Sequence, residues 1–386
     1  MHMKSLQILK TNIAKTAFAA AFFLASFSAN ALITPNDFDG DDSSRIEAAI
    51  KKACETGERS IEIPRVNKAR KDAIWLIDRA ILLPDDFTLV LRDCLVRLAP
   101  DVKDNIIRSA GAQNGTLTPN KNISIVGVGN PVLSGGLRSH YGARTGDKNG
   151  WRTIGILLVS VDGFKIENLT LQNTQAWGIS IESGSSNGRI SNITFDDKND
   201  MRNQDGVDIR KGCHDITIEN IFGSVGDDAV ALTGYILPVA PEKRVIGGDG
   251  MQYGGRWESG ADDIYNITIK NVRAKCLGGH GIVRLLNQDG VNMYNIIVRD
   301  IVDTATGNEP RAQATIRIGD TRFWKQRRSK MGEMRNILVD GVMAKGKVAV
   351  WIKGPLCDSA IRNVFTETPQ TQRYDAPEPK ERVIME

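Results

Sequence analysis

One short pattern constrains this chain more than any other: a β-branched residue, any residue, Asn or Asp, then another apolar residue. It runs through Ile166-Glu167-Asn168-Leu169, Ile190-Ser191-Asn192-Ile193 and Ile218-Glu219-Asn220-Ile221. It continues as Ile269-Lys270-Asn271-Val272 and Val298-Arg299-Asp300-Ile301. Val339-Asp340-Gly341-Val342 keeps the spacing with glycine in the polar slot, and Ile125-Val126-Gly127-Val128 anticipates it. From Ile125 onward the steps are 41, 24, 28, 51, 29 and 41 residues. Periods of about 20 to 50 residues mark stacked repeats. The short steps suit single coils of a parallel β-solenoid; the long ones require an insertion or an unrecognised second coil. The polar slot has a physical reason. A coil turns a corner most easily through a left-handed residue, which Asn, Asp and Gly tolerate best, and Asn side chains on successive coils can hydrogen-bond along the stack. Asn122, Asn168, Asn192 and Asn266 also fall in N-x-T/S sequences, which the repeat already accounts for. The expected fold is therefore all-β, a right-handed parallel β-helix.

A solenoid exposes its core at its first coil unless something covers it. The segment ITPNDFDGDDSSRIEAAIKKACETGERSIEIP supplies a candidate cover. Ser43 or Ser44 can cap a helix whose apolar residues Ile46, Ala49, Ile50 and Ala53 share one face; Gly57 ends it and SIEIP resumes as strand. Two Gly-rich stretches, Gly135–Trp151 and Tyr235–Asp263, read as loops projecting from the stack, where binding commonly resides. The segment after Thr366 is charged and Pro-rich. It reads as a tail, 367–386, following a β-helical domain at 32–366.

Residues 1–31 have a different character. Lys4, Lys10 and Lys15 precede the apolar run Ala17–Phe27, and Ala29-Asn30-Ala31 offers a small-x-small cleavage site. The run is short for a bilayer span. A signal peptide cleaved after Ala31 is expected, with a secreted or periplasmic product that makes no further use of a membrane. Losing three lysines and no acids takes the formal charge from +4 to +1. A near-neutral chain offers no electrostatic footprint for nucleic acid. The five cysteines, Cys54, Cys94, Cys213, Cys276 and Cys357, are scattered and form no metal-type spacing; they read as small buried hydrophobes.

The chemistry concentrates in NQDGVDIRKGCHDITIENIFGSVGDDAVAL, residues 203–232. Asp205 precedes the adjacent pair Asp227 and Asp228 by 22 residues, about one coil. On neighbouring coils these carboxylates lie about 5 Å apart and cannot all ionise independently. A protonated acid beside ionised partners is what glycosidic hydrolysis requires. Two consecutive Asp on a strand would send one carboxylate into the core, so the pair belongs at a strand end or bulge. His280 stands between Gly279 and Gly281, which permit close approach. Arg317, in ATIRIG, can hold a polar or anionic sugar substituent. Singly, each residue is as readily structural as functional.

In order, NQD, GDD, GHG and RIG on a solenoid repeat resemble the polygalacturonase family of glycoside hydrolases, glycoside hydrolase family 28, whose pattern is NTD, DD, GHG, RIK. The resemblance runs over roughly residues 33 to 365. It implies that Asp227 is the general acid, that Asp205 and Asp228 activate water for single-displacement inversion, and that His280 supports the acid. It also implies that Asn203 and Arg317 contact the sugar, with no metal or organic cofactor. Gly319 replaces the lysine that binds the substrate carboxylate in that family. Arg284, Arg322, Lys325 or Lys353 can substitute for it. The expectation is an exported, monomeric hydrolase of α-glycosidic bonds in a pectin-like polysaccharide or oligosaccharide, exo-acting because the 235–263 insertion closes one end of the groove. The alternatives are a β-helical polysaccharide lyase or epimerase, and a non-catalytic carbohydrate-binding solenoid.

Overall fold

The computed structural model describes residues 32–113, 116–136, 153–198, 203–234, 262–288, 290–320 and 327–386. The leader expected at 1–31 and most of both insertions lie outside them. The described residues form a parallel β-helix. One sheet of fourteen strands and one of ten run the length of the stack, and within both the strands pair in parallel from coil to coil; a short antiparallel pair, Ala112–Gln113 with Thr116–Leu117, stands apart.

The repeat is what holds the stack in register. Ile125, Ile166, Ile190, Ile218, Ile269, Val298, Val339 and Ile361 pair one above the next. All eight are fully buried. Each is worth about 1.5–3 kcal/mol relative to an exposed side chain, and a slip of one residue would turn the column outward. The pairings Ile125–Ile166, Ile218–Ile269 and Val298–Val339 join adjacent coils. Each long step in the sequence is thus one coil carrying an insertion.

The polar slot is the corner. Asn168, Asn192, Asn220, Asn271 and Asp300 all adopt the left-handed conformation, with φ between 51° and 60°. In the strand Val161–Gln172 the residues before Asn168 pair with Asn120–Val128, while Thr170–Gln172 pair with Val132–Ser134. Each long strand therefore bends at its Asn and serves two faces of the helix. The third face is the ten-stranded sheet.

The helix Asp42–Thr56 covers the first coils with Ile46, Ala49, Ile50 and Ala53 buried, and Gly57 ends it at φ 80°. Its cap is Asp41 rather than Ser43 or Ser44: the Asp41 carboxylate accepts from the Ser44 N–H at 2.8 Å. Ser43 is buried and its hydroxyl accepts from the Asp78 N–H. The segment after Thr366 also departs from expectation. Gln372–Asp375 and Lys380–Met385 pair with Val348–Ile352 and Leu356–Thr366 and add a final coil. Proline and charge concealed a strand there because an end coil has one unpaired edge, where such residues are tolerated. All five cysteines are free, and all but Cys54 are buried.

Candidate active site

The ten-stranded face carries the carboxylates. Strands Ile179–Glu182, Val207–Arg210 and Val230–Gly234 are buried on both sides, whereas Val161–Gln172 on the opposite faces alternates buried and solvent-facing positions. Outward side chains on these three strands are thus sheltered from solvent.

Val207 pairs with Val230, which sets Asp205 beside Asp228 in the turns that enter these strands. The backbone fixes the turns: Gly206 N–H donates to Asp228 O at 2.9 Å, and Asp227 N–H to Gln204 O at 3.0 Å. The Asp pair sits just before the strand begins, so neither carboxylate is driven into the apolar core. One oxygen from each of Asp205, Asp227 and Asp228 falls in a cluster within 4.8 Å. The same spacing could hold a cation, although Arg284 already supplies positive charge at 3.5 Å from Asp228.

Val230 pairs with Val283, which brings the Gly279-His280-Gly281 turn alongside Asp227 and Asp228. His280 Nδ1 lies 3.2 Å from Asp227 Oδ1, and its ring is half exposed. The glycine after it is required: a Cβ on Gly281 would come within 2.8 Å of Asp228 Oδ1. The His280 N–H donates to the buried Cys276 Sγ at 3.1 Å. Asn203 holds a left-handed turn, φ 55°, two residues ahead of Asp205. Arg284 and Arg317 are register partners on the next two strands, and both donate to Asp320, at 2.9 and 2.6 Å. Lys353 follows one coil beyond, its Nζ 4.4 Å from the centre of the Trp351 ring. Arg322 and Lys325 lie outside the described residues.

The electrostatics follow from burial. Desolvation, reinforced by Asp227, Asp208 and Asp228, raises the Asp205 carboxyl well above the ordinary range. Desolvation and the neighbouring Asp228 push Asp227 up to about 8, against the pull of Arg284. Burial works against the Arg284 cation, yet Asp228 and Asp320 together hold its pKa above the usual value. At neutral pH this leaves Asp227 holding a proton beside a half-exposed imidazole, the arrangement a general acid needs.

Sequence reasoning missed a second layer. Asp208, fully buried and raised to about 7 mainly by desolvation, sits against Arg210 at 3.3 Å and accepts from Thr233 Oγ1. The Arg210 guanidinium lies over the Trp177 ring at 3.7 Å. Asp208 stands three residues after Asp205 in NQDGVDI, and alternation alone would have placed it outward in the same groove. Asp320 gave no comparable signal.

Fold and cluster together define a parallel β-helix with three buried carboxylates gathered on its ten-stranded face. Residues 111–285 match the family described as glycosyl hydrolases family 28, a stretch that contains Asn203, all three aspartates, His280 and Arg284 but ends before Arg317. Among solved structures, the chain is similar to the family 28 exopolygalacturonase of Yersinia enterocolitica, at 13% identity and TM-score 0.51, covering 91% of this chain and 78% of that one. It is similar also to the hyperthermoactive exopolygalacturonase of Thermotoga maritima, at 15% identity and TM-score 0.54, covering 92% and 91%. A tailspike protein mutant of E. coli bacteriophage HK620, in complex with pentasaccharide, aligns at 13% identity and TM-score 0.57, covering 91% of this chain and 65% of that chain. At such identities the structures speak for the fold alone. No curated protein sequence matches the chain.

Proposed function

We propose that this protein hydrolyses glycosidic bonds in a galacturonate-containing polysaccharide, with Asp227 as the acid that protonates the leaving oxygen. The observation that carries the proposal is the carboxylate trio itself: three acids from two adjacent coils, one of them raised to about 8 and 3.2 Å from an imidazole. Asp228, its charge balanced by Arg284, activates the attacking water, and Asp205 helps hold it in place. His280 orients Asp227, while Asn203 and Arg317 contact the sugar. The leader at 1–31 supports export, and the insertion at 235–263 supports exo action.

Two stereochemical outcomes compete. Single displacement with inversion follows from the family resemblance, whereas double displacement with retention would require one carboxylate to act as the nucleophile. NMR of the first anomer released decides between them, and inversion is the expected result. Asp227→Asn should lower turnover about 10²–10⁴-fold with the fold intact; undiminished turnover would remove the assignment. Mid-chain cuts at the earliest time points would refute exo action.

A further inference from the structure

The pair of guanidinium groups beside the trio is already occupied. Arg284 and Arg317 lie on adjacent strands of the groove, and both donate to the same oxygen, Asp320 Oδ2, at 2.9 and 2.6 Å. Asp320 is 4% exposed. Arg284 also faces Asp228 at 3.5 Å. Two guanidinium charges thus meet two protein carboxylates. The position of Asp320 has a physical cause. Two partly buried arginines in register repel each other, and Arg317 is held below its ordinary pKa by burial and by Arg284. The internal carboxylate offsets that repulsion.

The neighbouring position excludes another cation. Gly319 adopts φ +76°, and a Cβ there would come within 2.6 Å of the Gly354 nitrogen on the next coil. A lysine cannot simply be restored at position 319. The Lys353 ammonium lies over the Trp351 ring rather than between the guanidinium groups.

We infer that Asp320 stands in for a substrate carboxylate, so that the sugar unit seated at Arg284 and Arg317 is uncharged: an ester-capped uronate or a neutral hexose. This rests on the hydrolase reading above and narrows its substrate. A free uronate entering here would bring its charge against Asp320, where among the described residues both guanidinium groups already face carboxylates, and like charges at close quarters discriminate strongly.

The test compares three matched oligosaccharide series: oligogalacturonides as free acids, as methyl esters, and carboxyl-reduced to the neutral sugar. Binding is measured by calorimetry with Asp227→Asn protein, and kcat/KM with wild-type protein. Both uncharged series should exceed the free acids by at least about tenfold. Asp320→Asn should shift that ratio toward the free acids by a similar factor. A wild-type preference for free acid, or equal treatment of all three series, overturns the inference, as does a folded Asp320→Asn variant with an unchanged ratio. Should that variant fail to fold, salt replaces it. Repulsion from Asp320 predicts that free acids gain affinity as ionic strength rises, and a loss with salt overturns the inference. Esters binding better than reduced sugars identify the capped uronate as occupant, and the reverse order the neutral hexose. Binding preference without hydrolysis of any series would sink the hydrolase reading and leave the inference standing. Hydrolysis with an acid preference does the opposite.

Discussion

Two corners of this solenoid stack polar side chains coil upon coil, and they behave in opposite ways. At one, Asn192 Nδ2 donates to Asn168 Oδ1 at 2.9 Å, Asn220 to Asn192 at 2.7 Å and Asn271 to Asn220 at 2.7 Å. At the other, Asp205 and Asp228 stack at the same coil spacing with no donor between them, and burial drives Asp205 and the adjacent Asp227 toward their protonated forms. The backbone repeat is common to both. An amide carries a donor and an acceptor and is complementary to a copy of itself; a carboxylate carries only acceptors and repels its copy. One ladder turns the repeat into hydrogen bonds, the other into a cluster of acids that burial protonates.

The comparison predicts that exchanging Asn and Asp between the corners has effects of opposite sign. The larger is Asn220→Asp. The Asn220 amide donates to Asn192 and accepts from Asn271. A carboxylate keeps the second bond and turns the first into an oxygen–oxygen contact, a loss of about 1–3 kcal/mol at neutral pH. Denaturant unfolding should show the deficit, and it should shrink at low pH, where a protonated Asp can donate. An unchanged midpoint would mean that the ladder is decoration.

The converse change, Asp227→Asn, should stabilise the protein as pH rises. Asp227 has a folded pKa of about 8, against 3.8 for an unperturbed aspartate. An acid whose pKa is raised by folding contributes stability that is present below the unfolded value and lost as pH climbs through the folded one. The wild-type melting temperature should therefore fall between about pH 4 and pH 8, with Asp205 and Asp208, raised in the same direction, adding to the slope. In Asp227→Asn the slope should flatten, leaving the variant a few degrees more stable at pH 8 and no more stable at pH 4. Scanning calorimetry across that window checks it, and a wild-type profile that rises with pH contradicts it.

How much of this was visible in the sequence divides along the same line. The Asn ladder announces itself because identical residues recur beside identical apolar neighbours. A second ladder escaped notice although its arithmetic is as regular: Asn187, Asp215, Asn266 and Asn295 each stand five residues before a member of the first. All four are left-handed, with φ between 53° and 56°. Asn266 surfaced only within an N-x-T sequence, because its flanking residues vary. The trio was legible as three acids one coil apart. Asp320 was not, since its meaning lies wholly in which arginines it meets, and that depends on the register of strands 33 residues apart in sequence. The Asp41 cap and the final coil were misread because serine and proline carry strong local preferences that neighbouring coils override.

The second ladder also shows where an acid can sit harmlessly. In both stacks the donor belongs to the later coil: Asn266 Nδ2 donates back to Asp215 at 2.8 Å, Asn122 to Asp86 at 2.7 Å, Asn187 to Asp162 at 2.6 Å and Asn363 to Asp340 at 2.7 Å. In every such pair the aspartate lies on the earlier coil, where only an acceptor is needed. The Asn266 amide, followed by His214, holds the Asp215 carboxyl below its ordinary pKa. Its contribution to stability is accordingly present at neutral pH and lost as pH falls through that lowered value. Asp215→Asn should then be the mildest of these exchanges: the replacement Oδ1 still accepts from Asn266, and the exposed charge itself is worth little. A loss at pH 7 within about 0.5 kcal/mol is expected. A loss as large as that of Asn220→Asp would show that charge, rather than the direction of donation along the stack, decides which corner an aspartate can occupy.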